Sequence, residues 1–126
     1  MRLLLDTSVI IDFLRRKDKE ISLLTKIAKG ENELSISIIT HTELFSGKSV
    51  WEQQKLFQAI EILCSGWRIL PLEEDISTQA GKLRAHATTS LVDAIIAATA
   101  IQYSLELVTL NRKDFEKIKG LKLFEI

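Results

Sequence analysis

Four acidic residues of this chain follow or interrupt apolar runs, where an ionised carboxylate is unusual. Asp6 ends a run of leucines, Glu43 follows an isoleucine-rich run, and Asp93 is flanked by apolar residues on both sides. Asp114 follows a fourth apolar run after a few polar positions. Ionised carboxylates are rarely buried among apolar groups unless something pairs with them. Oxygen-rich clusters of this kind suit a hard divalent cation, and such an ion suits phosphodiester chemistry.

Each acid also has a structural alternative in helix capping. Three of them come three positions after a residue that can cap a helix N-terminus: Thr40 and Glu43, Ser90 and Asp93, and Asn111 and Asp114. That spacing resembles a capping box, and Asp6 itself could cap a helix beginning near Ser8. The two interpretations can coexist, because a helix N-terminus partly offsets negative charge. It does not offset four crowded carboxylates, since two charges about 4 Å apart repel by roughly 4 kcal/mol at an effective dielectric of 20.

Apolar periodicity predicts strands that alternate with helices. The predicted strands are 2–5, 34–38, 67–72 and 106–110, with a possible last one at 121–124, and the predicted helices are 8–16, 20–29, 40–45, 52–65, 73–86, 91–103 and 112–118. This order favours an α/β fold of one domain over residues 1–126, with a mostly parallel sheet of four to five strands flanked by helices. Ligands bind at the carboxyl ends of such strands, so the four acids are expected to meet there.

The bulk composition fits a single folded domain and excludes several classes of protein. The chain has 126 residues with a net charge of zero, so it is not a strongly basic nucleic-acid binder overall. No apolar stretch approaches the roughly 20 residues that cross a bilayer, and no signal peptide is evident. Cys64 is the one cysteine, which favours a core side chain and a cytoplasmic location.

Four segments together resemble the PIN-domain ribonucleases, and more narrowly the VapC-type toxins of toxin–antitoxin pairs. The segments are 4–14, 38–44, 91–100 and 107–115, and the similarity covers essentially the whole chain in order. The resemblance implies metal ligation by Asp6, Glu43, Asp93 and Asp114. It also implies supporting roles for Thr7, Ser8 and Asn111. The chain departs from the family pattern at Val92, where proline is common, and the family varies over whether the position of Asn111 or of Asp114 supplies the fourth ligand.

The function implied by this resemblance is a Mg²⁺- or Mn²⁺-dependent endoribonuclease that uses one or two ions and a metal-activated water. It also implies a cognate antitoxin partner and a homodimer. Two alternatives remain open on the residues: a non-catalytic RNA-binding module that keeps the fold, and a DNA-directed nuclease with the same metal chemistry. A receiver-like phosphoacceptor is disfavoured, because Asp6 has no adjacent acid.

RNA contact has candidates in two basic clusters. One contains Arg15, and the other contains Arg112 and Lys113 beside Asp114. A basic rim at these residues would steer phosphate towards an acidic floor, although charge runs are often only solvated faces. Trp51 and Trp67 flank an apolar helix and favour a core or subunit-interface role over base stacking.

Overall fold

The leucine run near the N-terminus forms the central strand of the sheet. The computed structural model describes all 126 residues, and Leu3, Leu4 and Leu5 are fully buried in strand β1. The four strands are β1 (Arg2–Leu5), β2 (Glu33–Ser37), β3 (Arg68–Leu70) and β4 (Glu106–Val108). They pair in parallel in the order β3-β2-β1-β4. The expected α/β fold with a parallel sheet is confirmed, and all four strands therefore end at the same edge.

Eight α-helices surround this sheet. They are α1 (Thr7–Arg15), α2 (Leu23–Ala28), α3 (Ile38–Leu44), α4 (Lys48–Glu52), α5 (Gln54–Ser65), α6 (Glu74–His86), α7 (Leu91–Gln102) and α8 (Arg112–Phe115). Helix α7 is the most enclosed, because every residue from Ala94 to Ala100 is buried. A helix that is apolar all round belongs inside a protein, and α7 packs between the sheet and α6.

Alternating side chains of β1 face two different apolar clusters. Leu3 and Leu5 pack with Val9 and Ile36 on one face of the sheet, while Leu4 packs with α7 on the other. Successive side chains of a strand point to opposite faces, so a sheet covered by helices on both sides needs an unbroken apolar central strand. This packing explains why three leucines stand together and why the next residue, Asp6, falls at the edge of the sheet.

One predicted helix is divided in the structure, and one short helix is present that was not predicted. The segment predicted as helix 20–29 consists of a 3₁₀ turn (Lys19–Ile21) followed by α2, with buried Ser22 between them. The Ser22 hydroxyl accepts a hydrogen bond from the backbone N–H of Thr25 and starts α2 afresh. The helix predicted over 52–65 is α5, which begins at Gln54, and the extended backbone of Gln53 separates it from α4, a short helix that was not predicted.

The possible fifth strand is reduced to one bridge. Leu107 and Leu123 pair in parallel, and the N–H of Phe124 donates to the carbonyl of Leu107 at 2.8 Å. The residues on either side do not continue the ladder, so the sheet has four strands, within the predicted range. None of the helices combines the length and the apolar character required to cross a membrane.

Candidate active site

The carboxylate of Asp6 is buried at the end of β1, and two hydroxyl groups hold it. The residue is only 4% exposed, and its backbone N–H donates to the carbonyl of Val108 on the neighbouring strand at 2.9 Å. Asp6 occupies the N-cap position of α1, yet its side chain makes no capping hydrogen bond. Its Oδ2 instead accepts hydrogen bonds from Ser8 Oγ at 2.8 Å and Thr109 Oγ1 at 2.7 Å. Capping therefore does not explain this acid.

The two hydroxyl groups are themselves oriented by backbone donors. The N–H of Leu110 donates to Ser8 Oγ at 3.1 Å, and the N–H of Asn111 donates to Thr109 Oγ1 at 3.0 Å. Each hydroxyl thus accepts one hydrogen bond and directs its own proton to Asp6. Ser8 is among the supporting residues predicted from the sequence, whereas Thr109 is not. The predicted strand 106–110 places Thr109 inside the strand, while β4 ends at Val108 and leaves Thr109 at the edge of the sheet.

Glu43 lies on α3, which follows the strand on the other side of β1. The helix begins at Ile38 with Ser37 as its N-cap, because Ser37 Oγ accepts a hydrogen bond from the N–H of Ile39. The capping box suggested by Thr40 and Glu43 is therefore absent. The Glu43 carboxylate accepts a hydrogen bond from Thr7 Oγ1 at 2.6 Å, so Thr7 ties the start of α1 to α3.

Asp93 lies in the first turn of α7, where capping and site formation do coincide. Ser90 is the N-cap, and its hydroxyl accepts a hydrogen bond from the N–H of Asp93 at 3.1 Å. The pKa of Asp93 is raised from its ordinary value, first because burial disfavours the charged form. The charge on Asp6 raises it next, Asp114 and Glu43 add to the shift, and the side chain of Ser90 acts in the opposite direction. Asp6, Asp114 and Glu43 thus all act electrostatically on Asp93.

Two adjoining clefts share Asp93. The first, here called the carboxylate cleft, has a volume of about 560 Å³, and its walls include Asp6, Thr7, Ser8, Glu43, Asp93 and Asn111. The second has a volume of about 290 Å³ and is lined by Asp93 and exposed Asp114 together with Arg84 and the 88–90 loop. Asn111 is the N-cap of α8 but makes no side-chain capping bond, so the third capping box is absent as well.

The oxygen ligands of the two clefts suit a hard divalent cation, but the acidic side chains do not form a closed cluster around one point. The acidic side chains offer only oxygen ligands, and the mutual repulsion seen at Asp93 is what a bound cation would relieve. No group of three or more His, Cys, Asp or Glu side chains is close enough together to hold a metal ion. Mg²⁺ commonly binds through one or two carboxylates and keeps several waters, so an open set of this kind is compatible with it.

Of the three basic residues predicted to contact RNA, Arg15 is the one that lines a cleft. Arg15 lines the carboxylate cleft, as does Arg16, but Arg16 is paired with Asp12 at 2.9 Å. Arg112 donates to the carbonyl of Phe124 at 3.0 Å and contacts the carboxylate of Glu125, so its guanidinium is held by the C-terminal segment. Neither Arg112 nor Lys113 lines these clefts, although both lie between Asn111 and Asp114, which do, so their predicted contact with RNA stays a prediction.

The remaining candidates occupy structural or surface positions. Cys64 is buried in the core as predicted, and burial raises the pKa of its thiol. Trp67 packs against the same apolar cluster, whereas Trp51 is 68% exposed and lies beside Phe45 and Phe57. This aromatic surface lines a separate groove of about 430 Å³.

A sequence model of the PIN domain matches residues 3–121. The parallel sheet and its acid-lined edge are thus those of a PIN domain, and the chain belongs to the PIN-domain family. The chain is 34% identical to Ribonuclease VapC1 of Rickettsia felis, over 100% of this chain and 97% of that protein. It is 31% identical to Ribonuclease VapC10 of Mycobacterium tuberculosis, over 95% and 90% of the two chains. Within its family, the protein belongs to the VapC group.

Solved structures of similar proteins support the assignment of this chain to the PIN-domain family and the VapC group. A Klebsiella pneumoniae chain, described as part of a toxin-antitoxin complex, matches with a TM-score of 0.75 and 32% identity, covering 98% of this chain and 99% of that one. A chain of VapBC2 from Rickettsia felis, solved bound to a DNA fragment from its promoter, matches with a TM-score of 0.80 and 26% identity, covering 98% of both chains.

Proposed function

We propose that this protein is a Mg²⁺- or Mn²⁺-dependent endoribonuclease and the toxin of a type II toxin–antitoxin pair. The observation that carries the proposal is that Asp6, Glu43 and Asp93, which lie far apart in the chain, line one cleft, and that Asp114 lines the adjoining cleft with Asp93. The raised pKa of Asp93, to which the other three acids contribute, supports the same grouping. The curated relatives of the VapC group are named ribonucleases, which favours RNA over DNA as substrate.

The proposed roles follow from how each side chain is held. Asp6 and Asp93 would hold the ion most directly, because Asp6 is fixed by two hydroxyl groups and Asp93 by the start of α7. Glu43 and Asp114 would bind waters of the ion or a second ion. A divalent ion supplies an activated water and offsets the charge that develops on phosphate. Thr7 and Ser8 orient carboxylates, and Asn111 is placed to orient a water at the cleft.

Arg15 is the residue of the predicted substrate-binding set that remains in the proposal. It lines the carboxylate cleft and has no ion-pair partner, unlike its neighbour Arg16. A free guanidinium at the rim attracts phosphate while the carboxylates repel it. Arg15 would thus hold a backbone phosphate near the acidic floor without itself taking part in bond cleavage.

The decisive experiment is cleavage of total cellular RNA with Mg²⁺ or Mn²⁺, followed by sequencing of the new ends. Attack by water predicts 5′-phosphate and 3′-hydroxyl ends, with no role for the 2′-hydroxyl as nucleophile. Asp6→Asn is the inactive control, and single-stranded DNA of the same sequence tests the DNA alternative. Full cleavage in EDTA would exclude the metal mechanism, and absence of cleavage by the wild type would favour a non-catalytic RNA-binding module.

We propose that the protein also binds an antitoxin, forms a homodimer and acts in the cytoplasm. VapBC and other toxin–antitoxin complexes are among the similar solved structures, which supports the antitoxin. Exposed Trp51 and Ile62, which is 71% exposed, offer apolar area for protein contacts on α4 and α5. Light scattering at micromolar concentration tests the dimer, and a strictly monomeric mass would contradict it. Co-purification with the product of the neighbouring gene tests the antitoxin.

A further inference from the structure

A cleft larger than the carboxylate cleft lies outside it. It has a volume of about 750 Å³ and runs between α6, from Asp75 to His86, and the residues that follow α8. We call it the lysine groove, because Lys82, Lys117 and Lys119 line it together with His86. Asp75 is the one acidic residue in its wall. The lysine groove is therefore a basic surface in a chain whose total charge is zero.

The charge of the lysine groove is not neutralised within the protein. The ion pairs of the structure use other cations: Arg2, Arg16, Lys29, Lys48 and Arg112. The carboxylate of Asp75 is engaged elsewhere, since it accepts hydrogen bonds from the N–H of Ile76 and from Gln102. The three ammonium groups of the groove thus remain free to bind an anion.

The walls of the lysine groove combine this charge with an apolar surface. Leu83, Ala87 and buried Ile118 line it beside the lysines. A single nucleic-acid strand is complementary to both features, because its backbone is anionic and the faces of its bases are apolar. No Phe, Tyr or Trp side chain lines the groove, so charge must supply most of the binding.

The lysine groove and the second acidic cleft are built from the same two segments. Ala87 lines the groove and the next residue, Thr88, lines the acidic cleft, while Asp114 on α8 lines the acidic cleft and precedes Lys117 of the groove by three residues. A strand bound with one phosphate near Asp93 and Asp114 can therefore continue into the lysine groove. We propose that the groove binds the sugar–phosphate backbone of the RNA that flanks the cleaved bond. This proposal rests on the proposed ribonuclease function.

The test compares two double variants of equal charge in the Asp6→Asn background, which keeps the RNA intact. Lys82→Gln with Lys117→Gln alters the groove. Lys26→Gln with Lys55→Gln alters exposed lysines of α2 and α5 and serves as the matched control. The probe is a labelled single-stranded RNA of about 16 nucleotides, the upper end of typical single-strand site sizes. Fluorescence anisotropy gives its dissociation constant as a function of salt concentration.

The groove variant is expected to weaken binding and to lower the slope of log affinity against log salt by about 1.4, since each lost phosphate contact removes about 0.7 on a single strand. The control variant should keep the wild-type slope. In the protein that retains Asp6, the groove variant should raise the KM for a long RNA by the same factor as the dissociation constant. Thermal unfolding of each variant checks that the fold is intact.

The outcomes separate the groove from the enzyme. If the wild type cleaves RNA, Asp6→Asn does not, and both lysine variants bind RNA with equal slopes, the groove proposal alone is overturned. Equal RNA binding combined with weaker binding of a protein partner by the groove variant overturns it in favour of a protein-docking surface. If the wild type neither binds nor cleaves RNA, the ribonuclease proposal fails and the groove proposal falls with it.

Discussion

Thr109 Oγ1 donates a hydrogen bond of 2.7 Å to Oδ2 of Asp6, across 103 positions of the chain. The contact exists because β1 and β4 are parallel neighbours with Leu5 opposite Val108, so the residue that follows each strand emerges at the same edge. A buried carboxylate needs such donors to stay charged and fixed in direction. Thr109 is therefore a positioning residue for Asp6, and it acts without having to touch substrate.

Thr109→Val tests this positioning role. The substitution keeps the shape of the side chain but removes the donor to Asp6 and the acceptor for the N–H of Asn111. A hydrogen bond to a charged group contributes about 1.5–3 kcal/mol, and we expect a loss of that order in the free energy of unfolding measured with urea. We also expect kcat for RNA cleavage to fall while KM changes little, because the carboxylate that we propose to hold the metal ion loses its orientation.

Thr109→Ser is the matched control, since it retains the hydroxyl and removes one methyl group. It should recover most of the lost kcat, although it leaves a small gap in the packing. Equal kcat values for the valine and serine variants would show that the hydroxyl does not position Asp6.

Asp6→Asn separates a site role from a structural one. The change removes one of the charges that raise the pKa of Asp93, while the amide oxygen can still accept from Ser8 and Thr109. The metal-free variant should therefore unfold at the same temperature as the wild type or higher, and cleavage should be lost. A clearly lower melting temperature in EDTA would argue that Asp6 serves mainly to hold the fold together.

The pKa of Asp93 leads to a specific pH dependence of stability. Because the pKa in the folded state is raised above the ordinary aspartate value, the folded protein binds more protons than the unfolded chain between the two pKa values. The free energy of unfolding must then fall as pH rises through that window. In EDTA, Asp93→Asn should remove this contribution and be more stable than the wild type above the window. Parallel pH profiles of the two proteins would contradict the assignment.

Much of the site was predictable because it depends on strand order and not on side-chain detail. The bounds of β1 follow from its leucines, and the rule that parallel strands end at one edge places Asp6 and Glu43 together. The capping patterns were a weaker guide. Of the three pairs, only Ser90 and Asp93 form a capping contact, since α3 begins two residues before Thr40.

The features that sequence analysis missed depend on contacts between distant residues. Thr109 lies inside the predicted strand 106–110, and its position beside Asp6 follows only from the end of β4 at Val108 and from the register of β1 and β4. Arg112 looked available for RNA, but the returning C-terminus supplies the carbonyl of Phe124 that holds it. Helix α4 was not predicted because its five residues are too few to show a helical apolar period, and the extended backbone of Gln53 separates it from α5.

Divalent ions should stabilise the folded protein through the carboxylate cleft. A ligand that binds only the folded state raises the free energy of unfolding by about 2.7 kcal/mol at a concentration of 100 times its Kd. Mg²⁺ or Mn²⁺ should therefore raise the melting temperature, whereas NaCl of equal ionic strength should not. Asp93→Asn should abolish the increase, because it removes the acid on which the other three act. Glu61→Gln, which removes an exposed acid of α5, should retain it. An equal increase in both variants would mean that the ion binds away from the cleft, and the metal assignment would then be wrong.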